Sequence, residues 1–309
     1  MKDKQALVTG GAGFIGSHLV DSLLKKGANV TVLDDLSSGN RSNVNYDAHF
    51  IQGDIRDFNT VKNCISNMDI VYHLAADTTT RESSMGWYNP SLDLQINVEG
   101  SLNIFKAIIE QDLDTYVIFT SSAAVYGEPI YVPMDEDHPT NPISPYGISK
   151  LSVEKYAFAY FKEYGINSIS IRIFNTYGPR QQRYVIFDLL KKLQINRYKL
   201  EVLGNGDTIR DYSYVSDTVN ALLLLTEKCR WGNVYNISGE NPISIKELIF
   251  LILSELNLNG ITEVYYTGKS WKGDIKKMIA DNKRIKELGF KPKITLKKGI
   301  NKTIKWFYK

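Results

Sequence analysis

The chain has 309 residues, of which 43% are hydrophobic and 23% charged, and a formal net charge of +3. That length can bury a large core, as one big domain or two unequal ones, and the composition is that of an ordinary globular protein. No apolar run reaches membrane-spanning length, and two distant cysteines, Cys64 and Cys229, point to neither a disulfide framework nor a metal site. The first residues show no secretory-leader pattern and enter a strand-like run at once, so a reducing cytoplasm is the expected compartment. The charge is uneven: residues 269–309 carry 14 basic and 3 acidic side chains, against 23 basic and 31 acidic in the rest. Such a segment reads either as a cationic surface for a phosphorylated ligand or nucleic acid, or as solvated helix faces. Without interleaved aromatics, solvated faces are the expectation and a nucleic-acid partner is not.

In chain order, "QALVT" (5–9) reads as a buried strand. "FIGSHLVDSLLKKG" (14–27) has apolar residues at helical spacing and Gly27 as its stop, and "NVTVLD" (29–34) is a second strand. "AHFIQGD" (48–54), "DIVYHLA" (69–75) and "TYVIFTSS" (115–122) give three more strands, with a helix from about Pro90 to Glu110. A long helix follows "SPYGISK" (144–150) to about Tyr164, and "NSISIRI" (167–173) is a sixth strand. Past Asn175 the rhythm loosens, and short strands and helices mix. This alternation predicts an α/β protein, a Rossmann-type doubly wound parallel sheet with a smaller mixed α/β lobe at the C-terminal side. The expected division is residues 1–174 for the sheet and 175–309 for the lobe, with some segments of the latter returning to the sheet.

Gly10, Gly13 and Gly16 lie in "LVTGGAGFIGSHLV", between the first strand and the first helix, and Asp34 closes the second strand. A tight glycine turn lets backbone amides approach a pyrophosphate at a helix N-terminus, and an acidic residue at the next strand end takes ribose hydroxyls. The pattern predicts a dinucleotide site. The charge of Asp34 would repel a 2′-phosphate, so NAD is expected over NADP. "GDIRD" (53–57) places Asp54 and Ile55 where they could border the adenine, or could be plain loop.

Tyr146 and Lys150 form a Tyr-x-x-x-Lys pair. With 19 tyrosines and 27 lysines in the chain, about 1.7 such pairs arise by chance, and a second does occur at Tyr265 and Lys269. Context separates them. The first opens a helix after Pro145, where positions i and i+4 share a face; the second straddles a strand end and Gly268. A tyrosine acts as a base only when its pKa falls, which a nearby ammonium or an oxidised nicotinamide brings about. Ser122, at the fifth strand's carboxyl end, is the expected hydroxyl partner.

Together these stretches, with "LDDLSSGN", "NVEGSLNI", "RIFNTYGPRQ", "RDYSYVSD" and "VYNISG", resemble the extended short-chain dehydrogenase/reductase family over nearly the whole chain. Within it the likeness is to nucleotide-sugar epimerases, UDP-glucose 4-epimerase in particular. The resemblance implies Tyr146 as base, Lys150 as its partner and NAD ribose ligand, and Ser122 as the hydroxyl on the substrate oxygen. It implies Gly10, Gly13, Phe14, Ile15, Gly16, Asp34, Asp35, Asp54, Ile55, Leu74, Ala75, Ala76 and Asn97 along the cofactor. Asn175, Arg210 and Asp274 would contact the nucleotide sugar, and a homodimer is expected. The alternative reading of Arg210 is an ion pair with Asp211 or Asp217. His73 is expected as a core histidine. Related dehydratases carry an Asp-Glu pair directly after the serine, and related decarboxylases a Glu at the second position; here those residues are Ala123 and Ala124, which favours plain epimerisation. Trp271 stands where epimerases often place an Arg, and Lys272 could substitute. The loop 178–190 also departs from the usual proline-containing form.

Overall fold

The computed structural model describes residues 1–78, 85–269 and 275–309. Seven parallel strands form the main sheet: β1 (Gln5–Thr9), β2 (Asn29–Asp34), β3 (His49–Gln52), β4 (Ile70–His73), β5 (Tyr116–Ser122), β6 (Ser168–Ile173) and β10 (Val234–Ile237). Their spatial order is β10-β6-β5-β4-β1-β2-β3, so the chain runs outward from β1 in one direction and then outward from it in the other. The gap between the carboxyl ends of β1 and β4 is the switch point at which such sheets bind ligands. The strands are a little shorter than the apolar runs suggested, because the residues of 53–54 and 74–75 turn away into the loops above the sheet.

Period-two alternation explains why both faces are covered. Ala6 and Val8 of β1 point to one side with Val32, Tyr72 and Ile118, against α1 (Phe14–Lys25) and α8 (Val215–Lys228). Leu7, Leu33, Val71 and Val117 point to the other side, against α2 (Phe58–Ile65) and α5 (Gly100–Glu110). Residues such as Leu19 and Leu23 are fully buried, and each contributes about 1.5–3 kcal/mol.

The helix expected from Pro90 to Glu110 is interrupted. After the short α3 (Met85–Tyr88), α4 (Pro90–Asp93) passes into a π-helical turn, Leu94–Glu99, before α5 begins. A π-turn is a local over-wide coil, frequent at functional sites. Here it carries Asn97, whose side chain bonds to three neighbours.

α6 (Pro145–Tyr164) has Ser144 as its cap, accepting from the Gly147 amide at 3.1 Å, Pro145 in its first turn, and a left-handed Gly165 as its stop. Its buried residues Tyr146, Lys150, Val153, Glu154 and Ala157 follow helical spacing. Beyond β6 come β7 (Asn175–Tyr177), α7 (Val185–Ile195), β8 (Lys199–Val202) and β9 (Ile209–Tyr214), then, past α8 and β10, β11 (Pro242–Ser244), α9 (Ile245–Glu255), β12 (Glu263–Tyr266) and β13 (Lys277–Met278), ending in α10 (Lys283–Glu287) and α11 (Leu296–Phe307). β9 pairs with β7, β11 and β13 in a small mixed sheet, and β8 pairs with β12. Among the described residues no helix is long and apolar enough to cross a membrane.

Candidate active site

The glycine turn sits at the switch point. Gly10 has φ +70°, and a Cβ there would lie 2.7 Å from the Ala75 amide nitrogen. The absence of side chain thus lets the segment Leu74, Ala75 and Ala76 close over the turn. Leu74 donates to the Thr9 carbonyl and Ala75 to the Thr9 hydroxyl. Gly13 stands at the start of α1 with no side-chain cap, followed by Phe14, Ile15 and Gly16. The first amides of that helix face the turn with a positive dipole end, which suits an anionic group.

Asp34 is buried at the end of β2. Its Oδ2 accepts from the Ala12 amide and its Oδ1 from the Leu36 amide, both at 2.9 Å. Burial pushes its carboxyl up, and the two backbone bonds offset that. Each oxygen keeps a lone pair for a ribose hydroxyl, so glycine turn and acid together fit a dinucleotide. Asp35 is turned to its own loop, accepting from Ser37. Asp54 is held by Arg56, whose guanidinium lowers its carboxyl below the usual range. The Ile55 side chain is buried against Gly100 under α5.

The carboxyl end of β5 and the first turn of α6 meet at Gly147. A Cβ on this residue would lie 2.6 Å from the Ala124 carbonyl oxygen, so the glycine of "SPYGISK" lets the helix start press onto the 3-10 turn Ala123–Val125. The consequence is that Tyr146 lies against Ser122. The Ser122 oxygen accepts from the Ala124 amide at 3.2 Å, which leaves its own proton to donate. One turn on, Lys150 is buried with its ammonium donating to the Thr120 carbonyl at 2.9 Å; it lies 4.7 Å from the Phe119 ring centroid and 5.9 Å from that of Tyr146.

The acidities differ from expectation. Burial pushes the Tyr146 phenol well above its ordinary value, with Tyr184 adding to this and Ser122 offsetting it. Burial also pulls Lys150 down to about 7, while Asp93 and Glu154 favour its charged form. In the polypeptide alone, burial outweighs the lowering influences on the Tyr146 phenol.

Asn97 is more deeply engaged than a residue simply lining a cofactor. Its amide donates to the Asp77 carbonyl (3.0 Å), Asp93 Oδ1 (3.2 Å) and Ser149 Oγ (2.9 Å), and its Oδ1 accepts from the Asp77 amide (2.8 Å). It ties the π-turn to α6 one residue before Lys150. His73 has both ring nitrogens occupied, by Thr9 (2.6 Å) and Ser101 (2.8 Å), and burial pulls it down to about 3. A neutral imidazole with both nitrogens hydrogen-bonded supports the strand ends.

On the lobe side, Asn175 begins β7, with its amide 4.0 Å from Met278 Sδ. Arg210 donates to the carbonyls of Ile209 (2.9 Å) and Ile275 (2.6 Å). Asp211 is taken by Ser238 and Asn241, and Asp217 by the amides of Lys293 and Ile294, so neither makes the ion pair considered for Arg210. Asp274, Trp271 and Lys272 lie outside the described residues. Among the described residues the departing loop is tied by Pro179 to His18, by Arg180 to Asp21 at 2.8 Å, and by Tyr184 to Thr78 at 3.1 Å.

Sequence reasoning missed Asp93, Ser149 and Tyr184. Asp93 and Asn97 are four apart on a helical stretch, a spacing that signals a shared face. Tyr184 gave no signal, since its approach to Tyr146 depends on how the loop folds back. The second Tyr-x-x-x-Lys pair is elsewhere: Tyr265 is 61% exposed on β12.

A glycine turn at the switch point and a serine, tyrosine and lysine gathered at the end of β5 define a dinucleotide-dependent protein of the extended short-chain dehydrogenase/reductase type. A family profile described as GDP-mannose 4,6 dehydratase matches residues 7–303. The chain belongs to this family of nucleotide-sugar epimerases and dehydratases. It is 39% identical over 306 residues to a provisionally described UDP-glucose 4-epimerase of Methanocaldococcus jannaschii, with 97% of each chain covered. Among solved structures, a UDP-glucose 4-epimerase from Thermotoga maritima with UDP-glucose superposes with a TM-score of 0.91 at 35% identity, covering 98% of both chains. A Thermus thermophilus UDP-glucose 4-epimerase in complex with NAD gives a TM-score of 0.88 at 30% identity, covering 98% of this chain and 99% of that one.

Proposed function

We propose that this protein is an NAD-dependent nucleotide-sugar 4-epimerase, of the UDP-glucose/UDP-galactose type, working through a transient 4-keto sugar. The observation that carries the reading is the juxtaposition of Tyr146, Ser122 and Lys150 beside a dinucleotide turn, with alanines at 123 and 124. Bound NAD supplies a reversible two-electron acceptor at the sugar C4. Gly10, Gly13 and the first amides of α1 hold its pyrophosphate, and Asp34 its adenosine ribose. Lys150 has donors left beyond its bond to Thr120, and these would hold the other ribose.

Tyr146 takes the proton of the sugar 4-hydroxyl as C4 is oxidised, and returns it when the opposite face is reduced. Ser122 donates to the same oxygen and holds it in reach of the phenol. For Tyr146 to act near neutral pH, the upward push of burial must be met by positive charge, from Lys150 and from the oxidised nicotinamide. Elimination of water, the chemistry in the family's description, needs a further acid and base on the sugar. Ala123 and Ala124 supply neither, which supports epimerisation over dehydration.

Asn175, Arg210 and Asp274 are proposed to hold the nucleotide sugar, with the Arg210 guanidinium on the pyrophosphate. Residues 1–174 then serve the cofactor and 175–309 mainly the substrate, with α8 and β10 lent back to the sheet. A homodimer is proposed through α6, where Ile148 and Tyr156, eight positions apart, are exposed on one face. The free thiols of Cys64 and Cys229 suit a reducing cytoplasm. The test of the reading is turnover of a panel of UDP-, GDP-, CDP- and dTDP-sugars by the NAD-loaded protein. Interconversion of a C4 epimer pair, without net consumption of NAD, is expected; failure with every pair overturns it.

A further inference from the structure

The Asp93 carboxylate has no place in the chemistry so far, yet it is 1% exposed and is linked through Asn97 to Ser149, the residue before Lys150. It ends α4 where the π-turn begins. One oxygen accepts from Asn97 at 3.2 Å, and the other, Oδ2, is buried without a hydrogen-bond partner among the described residues. A buried carboxylate oxygen left unmatched is costly unless a positive charge compensates it. Among the described residues the positive charge acting on it is Lys150, whose buried ammonium makes one hydrogen bond there, to Thr120.

Two carboxylates act on Lys150, Asp93 and Glu154. Glu154 is already committed to a buried two-point ion pair with Arg172, at 3.0 and 2.7 Å. Its charge is shared with that guanidinium, whereas Asp93 makes no ion pair among the described residues. Among the described residues, the other titratable groups around the pair are His73 from β4, Asp77 from the segment after β4, and Tyr146 and Tyr184 around the phenol. His73 is neutral, and Asp77 acts on Asp93 and on Tyr146.

We propose that Asp93 is a positioning residue for the reaction: its buried carboxylate is the counter-charge that keeps Lys150 an ammonium while Lys150 serves Tyr146 and the cofactor ribose. The inference rests on the epimerase reading. Burial and Asp77 push the Asp93 carboxyl up to about 6, so it carries its charge at neutral pH, where Lys150 is close to losing its own. A negative charge raises the proton affinity of lysine and tyrosine alike. Its removal therefore moves the titration of the coupled pair in one direction, whichever member limits the rate.

The test is Asp93→Asn, which keeps the acceptor for Asn97 and removes the charge. On a nucleotide sugar that the wild type turns over, the limb of kcat/KM set by the pair, alkaline for loss of the Lys150 ammonium and acidic for protonation of Tyr146, should move to lower pH by about one unit. In cofactor-stripped protein, NAD affinity measured against pH should lose its high-pH tolerance by a similar interval. Should Asp93→Asn not fold, Asp93→Ser carries the same expectation. Both curves staying in place, with only the amplitude changed, would make Asp93 a structural residue and overturn the proposal. A wild type that turns over no nucleotide sugar would instead strike the epimerase reading, and the NAD-affinity curves would still decide the role of Asp93.

Discussion

Tyr146 with Lys150 and Tyr265 with Lys269 share a spacing and little else. The first pair starts α6, both members are buried, and Gly147 brings their turn against Ala124. The second sits at the end of β12 in a two-stranded sheet, where Tyr265 is open to solvent and the Lys269 carbonyl closes a turn onto Gly204. A four-residue spacing brings side chains together only on a helix, and a helix start becomes a site only where a strand end meets it.

The largest effect that separates the two regions should come from Tyr146→Phe. Loss of the proton-transfer group is expected to lower kcat by about 10²–10⁴-fold with the fold intact, as read by steady-state turnover and thermal melting. Near-full turnover would remove Tyr146 from the base role. Ser122→Ala removes one hydrogen bond to the reacting oxygen and should cost about tenfold in kcat/KM.

Lys150→Met tests burial rather than chemistry. Folded Lys150 titrates at about 7 against an ordinary 10.5, so between those values the unfolded chain holds a proton that the folded chain does not. Stability from this group therefore rises with pH across that window, and below about 7 its penalty is constant. Melting temperatures of the cofactor-free protein should climb less from pH 7 to 10 in Lys150→Met than in the wild type. An unchanged slope would show that Lys150 is not desolvated. At the other end of the scale, Tyr265→Phe with Lys269→Met should leave turnover within about twofold; a larger loss would mean that the exposed pair matters after all.

The legible parts were those set by local pattern. Apolar runs with helical gaps give the strands and helices of the first 174 residues, and the glycine turn with Asp34 points to a dinucleotide site, because each depends on neighbours in the chain. The π-turn at Leu94–Glu99 escaped, since it carries contacts distant in sequence, Asn97 with Asp77 and with Ser149. The rise in Tyr146 escaped for another reason: desolvation depends on everything packed around the phenol, including Tyr184 from a distant loop. The substrate side was least legible, because Asn175, Arg210 and the 178–184 loop are placed by β7, β9 and contacts to α1, all long-range in sequence.

The most direct test of the central claim is turnover of UDP-glucose carrying deuterium at C4. Reversible oxidation at that carbon inside a closed site predicts that the epimer product keeps the deuterium at C4, with no exchange into water and no net change in NAD. Loss of the label to solvent, or a stable keto product with reduced cofactor, would contradict it.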